Sequence, residues 1–571
     1  MLDTLNEQQR EVVNLRRNSV AVACPGAGKT TTIATKAALL LAEPNARVGA
    51  VTFSKDAAVE LRDRIVKLAG PEHKRRLLAG TFHSLAYKQI SGPGRRLDIA
   101  SDGDRTVILQ RVLQDLCLPW KPEEAVPIIE QVKNNFGKAE EGSEALKLYL
   151  AYQEGLERNG KIDFQDMLRL SVERMENGDI EPYAFTYLLV DEFQDTDRLQ
   201  YRWVELHARA GAIITVVGDD DQSIYGFRAA LGFRGMESFA ETFDATRVVL
   251  GSNYRCKSEI LAAADRLIQH NTERIPKVLK AEKGPGGKLC APRHVDEYAE
   301  AVAGVEDLQP RLAEGRSCAV LTRTNRHLDA VEAVCRSHGV PYFRASGKSI
   351  LDRPEAALFC NLLGLIEGTK KSGLDSLLAH TQMSLSDLRL LGAEAANRNA
   401  VKKKDLVDRG VSEEASTIYR SLIKRLAEWE AVSKRQFYSL ALEGAKEWML
   451  SYATTDTAIR AIDTTYEVIS RLNGPFSERI EFLKRDNNEP KAGALVLTTM
   501  HSSKGLEWDD VWICRAEENV VPDGKSPESE ERRLFYVAMT RARDRLTISS
   551  TAKNLASRFL VEAGFQSSIP A

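Results

Sequence analysis

Short apolar runs alternate with helical patterns in the first third and the last fifth of the chain. Strands that are separated by helices are typical of parallel α/β sheets. The apolar runs predict strands at Ser19–Ala23, Val48–Phe53, Tyr187–Val190, Ile213–Val217, Ala319–Leu321, Leu495–Thr499 and Val511–Cys514.

Two longer stretches, at about 92–182 and about 368–490, read as mostly helical. The second contains 415–432, where Ile418, Leu422, Leu426 and Trp429 recur at helical spacing. A Gly-Pro-Gly-Gly segment at 284–287 predicts a loop or linker. We therefore predict an α/β fold with two parallel-sheet cores, each interrupted by a mostly helical insertion.

Composition adds few constraints. A chain of 571 residues is too long for one hydrophobic core, so we expect three or four domains. The first residues, MLDTLNEQQR, lack a secretory apolar stretch, and the eight cysteines form no CxxC pair. We expect a cytoplasmic protein without a membrane span, a zinc site or disulfides. A net charge of −2 favours no partner, so nucleic acid would need a local groove.

A phosphate-binding loop follows the first predicted strand. Residues 23–30 read ACPGAGKT and lead into a predicted helix at Thr31–Leu41. Glycines let the backbone turn its N–H groups toward phosphate oxygens, and the helix N-terminus favours negative charge. Lys29 would reach the β- and γ-phosphates of ATP, and Thr30 would hold Mg²⁺. The other predicted contacts in the loop are Pro25, Gly26, Ala27, Gly28 and Thr31.

A pair of carboxylates supplies the second part of the site. Asp191 and Glu192 follow an apolar strand, as a metal ligand and a catalytic base must. Asp191 would hold Mg²⁺, and Glu192 would orient and deprotonate the attacking water. Such a pair alone is usually a solvated strand end, but the phosphate loop favours the catalytic interpretation.

From Asp191 to Asp195 the chain reads DEFQD and resembles the UvrD/Rep/PcrA family of superfamily 1 DNA helicases. The resemblance covers nearly the whole chain and implies two RecA-like motor domains with ATP in the cleft between them. Further segments resemble that family's motifs in chain order: 5–9 (adenine-reading Q motif), 52–58 (Ia), 80–84 (Ib), 217–228 (III), 253–255 (IV), 499–507 (V) and 531–542 (VI).

The resemblance assigns roles to individual residues. Gln9 and Tyr254 would contact the adenine and Glu507 the ribose, Gln222 would sense the γ-phosphate, and Arg255 and Arg541 would act as arginine fingers. The implied DNA contacts are Phe53, Thr81, His83, Tyr225, Phe227, Arg228 and His501. Each alone has a plainer interpretation: an arginine in a surface ion pair, an aromatic ring in the core, or a buried hydrogen-bonded histidine.

The resemblance also implies domain boundaries. They are 1–88 and 183–275 for the first core (1A), 89–182 for its helical insertion (1B), 276–367 and 489–571 for the second core (2A), and 368–488 for a reduced insertion (2B). The sequence departs from the family in this shorter 2B, in Thr31 where many members have Arg, and in Phe227 where Trp is frequent.

The function implied is an ATP- and Mg²⁺-dependent 3′→5′ DNA helicase in DNA repair or replication. Single-stranded and tailed duplex DNA would be its partners, with room for a protein loading partner, and we expect a monomer or weak dimer away from membranes. One alternative is a translocase that strips proteins from DNA or needs a partner to unwind. Another is a DNA- or nuclease-binding subunit with ATP as a switch, which the intact catalytic set disfavours.

Overall fold

The computed structural model describes residues 2–91, 97–370, 372–484 and 492–565. The chain divides into two compact units, Met1–Gly286 with Lys525–Thr540, and Gly287–Gly524 with Arg541–Ala571. The division between 286 and 287 falls inside the predicted Gly-Pro-Gly-Gly loop, which is irregular. Throughout the described ranges, no helix has the length and apolarity needed to cross a membrane.

The first unit is built on a parallel sheet of six strands in its described part, in the order β3-β2-β6-β7-β1-β8. Its central strands are buried on both faces, since helices cover both sides of the sheet. The strands of the unit are β1 (Ser19–Ala23), β2 (Val48–Thr52), β3 (Leu77–Thr81), β4 (Asp98–Ile99), β5 (Lys161–Ile162), β6 (Tyr187–Val190), β7 (Ile213–Gly218), β8 (Thr246–Leu250), β9 (Ser252–Asn253) and β10 (Lys280–Ala281).

Most helices of this unit flank the sheet, and a separate group interrupts it. The helices are α1 (Glu7–Asn14), α2 (Lys29–Leu41), α3 (Lys55–Ala69), α4 (Phe82–Ser91), α5 (Asp102–Asp115), α6 (Pro122–Asn134), α7 (Glu144–Arg158), α8 (Asp166–Glu176), α9 (Arg198–Arg209), α10 (Gly232–Thr242) and α11 (Ser258–Ile268). Helices α5–α7 share a small core of their own around Leu109, Ile129 and Leu148. They form a helical insertion between β3 and β6.

The second unit repeats this plan with a parallel sheet ordered β11-β17-β16-β13-β15-β14 among the described residues. Its strands are β11 (Lys288–Cys290), β12 (Arg293–His294), β13 (Cys318–Thr322), β14 (Tyr342–Arg344), β15 (Leu495–Thr499), β16 (Trp508–Ile513), β17 (Ala542–Ile548) and β18 (Ser550–Thr551). The sheet core includes Val320, Leu497 and Trp512.

A larger helical insertion separates β14 from β15. The remaining helices are α12 (Glu297–Ala313), α13 (Leu328–His338), α14 (Pro354–Glu367), α15 (Leu374–His380), α16 (Leu385–Asn397), α17 (Lys403–Asp408), α18 (Glu413–Lys434), α19 (Tyr438–Leu450), α20 (Asp456–Arg471), α21 (Phe476–Lys484), α22 (Glu528–Met539) and α23 (Arg558–Glu562). Leu422, Leu426 and Trp429 of α18 lie in the shared core of this insertion, as their helical spacing predicts. Helix α22 belongs to the first unit, where it packs on α11.

The predicted fold class is confirmed: the chain is α/β, with two parallel sheets and a helical insertion in each. The predicted strands at 19–23, 187–190 and 495–499 coincide with β1, β6 and β15. The strand predicted at Val511–Cys514 is wrong in its bounds, because β16 begins at Trp508 and ends before Cys514. The polar pair Asp509 and Asp510 masked the start of that strand.

Candidate functional site

The phosphate loop joins the carboxyl end of β1 to the first turn of α2. Gly26 and Gly28 have φ values of 64° and 73°, a conformation that side chains rarely adopt. A Cβ atom at Gly26 would lie 2.7 Å from Arg255 Cβ, and one at Gly28 would lie 2.8 Å from Gln9 Nε2. Glycine is therefore required at both positions, and the loop wraps as a phosphate cradle does.

Lys29, Asp191 and Glu192 meet beside this loop. Lys29 Nζ donates to Glu192 Oε2 at 2.7 Å, and both side chains are largely buried. Burial favours the neutral amine, but the Glu192 and Asp191 carboxylates outweigh it and hold the pKa of Lys29 above its ordinary value. Burial, with the Glu192 carboxylate beside it, raises the pKa of Asp191 to about 7. A buried carboxylate and the hydroxyl of Thr30 are hard oxygen donors, which fit Mg²⁺.

Gln194 connects this pair to the next strand, a role that the sequence analysis missed. Its Nε2 donates to Glu192 Oε2 at 2.7 Å, and its Oε1 accepts from the Asp219 backbone N–H at 3.0 Å. Asp219 in turn accepts a hydrogen bond from the buried amide of Gln222. The sequence signal that could have indicated this role is the single amide, Gln194, among the carboxylates of DEFQD.

The proposed nucleoside contacts, Gln9 and Tyr254, both lie against the loop. Gln9 is buried and donates from Nε2 to the carbonyl of Ala27 at 2.9 Å. Asn6 caps α1 and donates from Nδ2 to the exposed Tyr254 hydroxyl at 2.9 Å. Arg255 donates to the carbonyl of Thr540 at 3.1 Å. The first unit thus brings together the loop, the Q-motif residue and the motif IV residues.

Thr31 lies outside this cluster of contacts. It is exposed, and Arg64 of α3 donates to its hydroxyl at 3.2 Å. The chain therefore places a guanidinium beside Thr31 from another helix.

Three aromatic rings, the exposed Phe53 and Phe227 and the half-buried Tyr225, form a platform near the ends of β2 and β7. Phe53 and Tyr225 are stacked with centroids 5.5 Å apart and planes 7° from parallel. Phe227 meets Tyr225 edge to face at 6.0 Å and is 67% exposed. The Arg228 guanidinium lies 5.5 Å from both of these ring centroids. Exposed rings beside a cation are the usual means of holding single-stranded bases and phosphates.

His83 lies at the start of α4, next to Thr81. Its ring stacks on Phe164 at 4.1 Å, and burial lowers the pKa of His83 to about 4. The ring is therefore neutral near pH 7. Thr81 Oγ1 accepts from the backbone N–H of Ser84 at 3.2 Å. Phe164 comes from the helical insertion and is half exposed, and the sequence analysis missed it because no pattern links 164 to 83.

Glu507, His501 and Arg541 lie in the second unit. Glu507 accepts from Arg543 Nη2 at 2.6 Å. The buried Arg541 donates from Nη1 to the Leu506 carbonyl at 3.1 Å, close in sequence to Glu507. His501 follows β15 directly in the next turn. The three residues therefore come from segments that adjoin one another within that unit.

The comparisons with known proteins agree with this arrangement. Residues 5–244 match the UvrD/REP helicase N-terminal domain, and 248–430 with 476–553 match the UvrD-like helicase C-terminal domain. The chain is 30% identical to DNA helicase II of Salmonella typhimurium, over 96% of this chain and 84% of that protein. It is 28% identical to DNA helicase II of Haemophilus influenzae, over 98% and 87% of the two chains. It is 28% identical to the ATP-dependent DNA helicase PcrA of Leuconostoc citreum, over 98% and 84%.

Together, the two family models cover the two parallel-sheet units. These units correspond to the RecA-like cores that the motifs predict. With the phosphate loop, the paired carboxylates and the aromatic platform in one unit, the chain belongs to the UvrD/Rep/PcrA family of ATP-dependent DNA helicases.

Proposed function

We propose that the chain moves 3′→5′ along single-stranded DNA and unwinds duplex DNA, driven by hydrolysis of ATP with Mg²⁺. The observation that supports this best is the short segment from Gln222 to Phe227. One end hydrogen-bonds Asp219, next to the proposed catalytic carboxylates, and the other end bears the half-buried ring of Tyr225 and the exposed ring of Phe227. A shift of Gln222 with the state of the γ-phosphate would therefore move the surface on which bases stack.

Hydrolysis requires a base, a cation for the phosphates and a correctly placed water. We infer that Lys29 exchanges Glu192 for the β- and γ-phosphates when ATP binds, since its ammonium lies at the loop. Glu192, held by Gln194, then accepts the proton of the attacking water. Mg²⁺, held through Thr30 and Asp191, would neutralise charge on the phosphate oxygens.

Arg255 and Arg541 are the proposed arginine fingers. A finger is typically worth about 10³–10⁵ in rate, because it stabilises charge on the transferring phosphoryl group. Arg255 adjoins the loop through Gly26. The role of Arg541 rests on its place in motif VI. Gln9 and Tyr254 are proposed to hold the adenine, and the family resemblance suggests that Glu507 holds the ribose.

The DNA track is proposed to run over the aromatic platform. Each base stacked on Phe53, Tyr225 or Phe227 would contribute about 1–3 kcal/mol with little sequence preference. Arg228 would contact phosphate. The backbone contacts proposed from motifs Ib and V are Thr81, His83 and His501. Because His83 is neutral, its contribution would be a hydrogen bond rather than an ion pair.

The proposed domains are 1A, 1B, 2A and 2B with the boundaries given above. The 3′→5′ polarity follows from the family resemblance.

A second candidate is a translocase that strips proteins from DNA or needs a partner to unwind, which the reduced 2B insertion at 368–488 motivates. Opening a duplex costs on the order of 1.4 kcal/mol per base-pair step in stacking, so the motor needs a second contact to act as a wedge.

Strand separation on two tailed duplexes tests the proposal. The purified protein is mixed with ATP and Mg²⁺ and with a duplex bearing either a 3′ or a 5′ single-stranded tail, with Glu192→Gln as the inactive control. We expect separation of the 3′-tailed duplex alone. Separation of the 5′-tailed duplex alone would overturn the polarity. ATPase stimulated by single strands without any separation would favour the translocase.

A further inference from the structure

Three consecutive carboxylates lie buried where β7 ends. Asp219, Asp220 and Asp221 have fully buried side chains, and each offers an oxygen within 4.8 Å of the others. Three adjacent charges of one sign are costly in a low-dielectric interior unless a cation is placed among them. The fold must therefore supply positive charge at this point.

Lys277 supplies that charge. Its ammonium lies 2.6 Å from Asp219 Oδ1, 2.8 Å from Asp220 Oδ1 and 3.0 Å from Asp221 Oδ2, and its side chain is fully buried. It also lies 3.3 Å from the carbonyl of Ala23, the last residue of β1 before the phosphate loop. The ammonium thus joins the end of β1 to the end of β7.

Neighbours of Lys277 add a second cation and a backbone donor. Arg274 donates two hydrogen bonds to Asp221, at 2.9 and 2.8 Å, and the Ile275 N–H donates to Asp220 at 2.7 Å. Asp221 and Asp220 therefore each have a second partner from the segment around residue 275. Asp219 differs, because its second carboxylate oxygen accepts the amide of Gln222.

Asp219 is the link between Lys277 and the catalytic groups. Its side chain holds Gln222, and its backbone N–H donates to Gln194, whose amide holds Glu192. Loss of the Lys277 ammonium would remove the 2.6 Å ion pair of Asp219 and leave its Oδ1 with the backbone N–H of Asp221 at 3.3 Å. The carboxylate would then reorient toward other donors. The amide of Gln222, the proposed γ-phosphate sensor, would then lose a fixed support.

We propose that Lys277 is a positioning residue for ATP hydrolysis, which acts through Asp219 to fix the amide of Gln222. This inference rests on the role proposed above for Gln222. Lys277 touches neither the phosphates nor the DNA platform in this account. It therefore governs the hydrolysis step rather than the binding of either substrate.

The first experiment compares Lys277→Met with Arg274→Met in DNA-stimulated ATPase assays. Lys277→Met should lower kcat about 10- to 100-fold, the usual effect of losing a group that orients a reacting residue, with KM for ATP unchanged. Arg274→Met is the matched control, since it removes a cation from the same cluster without touching Asp219. It should lower the unfolding temperature and leave kcat unchanged. An equal loss of kcat in both variants would overturn the proposal.

A double-mutant cycle with Gln222→Ala separates positioning from a general structural effect. If Lys277 acts through Gln222, then Lys277→Met should not slow Gln222→Ala further. If the losses of kcat in the two single variants multiply in the double variant, the proposal is overturned. If Gln222→Ala hydrolyses ATP slowly while Lys277→Met has the wild-type rate, this inference is refuted and the role of Gln222 stands. A wild-type rate in Gln222→Ala would refute the role of Gln222 as well.

A compensated variant guards against failure to fold. Lys277→Met combined with Asp220→Asn removes one positive and one negative charge, and leaves Asp221 paired with Arg274. This variant should fold and should show the same loss of kcat as Lys277→Met. A wild-type kcat in the folded double variant would overturn the proposal.

Discussion

Replacing Phe227 with alanine tests whether the aromatic platform is a DNA surface. The ring is 67% exposed and meets Tyr225 edge to face, so its removal costs little core packing. An exposed edge-to-face pair contributes about 0.5–1.5 kcal/mol to stability. A base stacked on the ring contributes about 1–3 kcal/mol to binding, which corresponds to a loss of about 5- to 160-fold in affinity for single-stranded DNA.

Fluorescence anisotropy with a labelled oligothymidylate measures that affinity, and stopped-flow translocation measures speed at saturating DNA. Phe227→Ala should weaken binding within this range, slow movement and retain ATP turnover, so that more ATP is used per nucleotide travelled. Phe437→Ala is the matched control, because Phe437 is also exposed but lies in the second insertion before α19. Unchanged affinity and speed in Phe227→Ala would show that the ring is only surface packing.

Two further predictions concern the phosphate loop and pH. Lys29→Ala should abolish ATP turnover and leave binding of single-stranded DNA intact; near-wild-type turnover would refute the phosphate assignment. Buried His207 donates from Nδ1 to the Trp203 carbonyl at 2.7 Å and accepts from the Tyr183 N–H at 3.1 Å. Burial lowers its pKa to about 4, so below its unfolded pKa of about 6.5 only the unfolded chain takes up a proton. The free energy of unfolding should therefore fall from pH 7 to pH 5, and His207→Gln should reduce that fall by about 2 kcal/mol, as measured by urea unfolding. An equal fall in both proteins would contradict this role of His207.

The central strands could be predicted from sequence because burial on both faces makes them continuous apolar runs. Ser19–Ala23 and Tyr187–Val190 are such runs, and every residue in them is buried. The strand β17 escaped prediction because Arg543, Asp544 and Arg545 occupy its first half. Those charges are satisfied by long-range ion pairs, for example Arg543 with Glu507, and no local pattern reveals such pairs.

The candidate site was predictable where its residues lie close together in sequence. The phosphate loop and the Asp191–Glu192 pair each read as one unit because backbone geometry ties neighbouring residues to one ligand. Lys277 could not be found in this way. It meets Asp219 across 58 positions, and a single lysine after a proline has no periodicity that marks it as buried. The available signal was indirect: three aspartates in a row at the end of an apolar strand require a cation from elsewhere.

The lysine ammonium among the three aspartates has a consequence for experiments with chelators. A divalent ion bound together with ATP would exchange with solution, so a chelator would remove it. The positive charge beside Asp219 belongs to the side chain of Lys277, so neither a chelator nor dialysis can remove it. Chelation followed by fresh magnesium should therefore restore full activity at once, without any refolding step at the sensor. Changes in the concentration of free metal ions would alter how much metal binds with the nucleotide, but they would leave the Lys277 ammonium beside Asp219 in place.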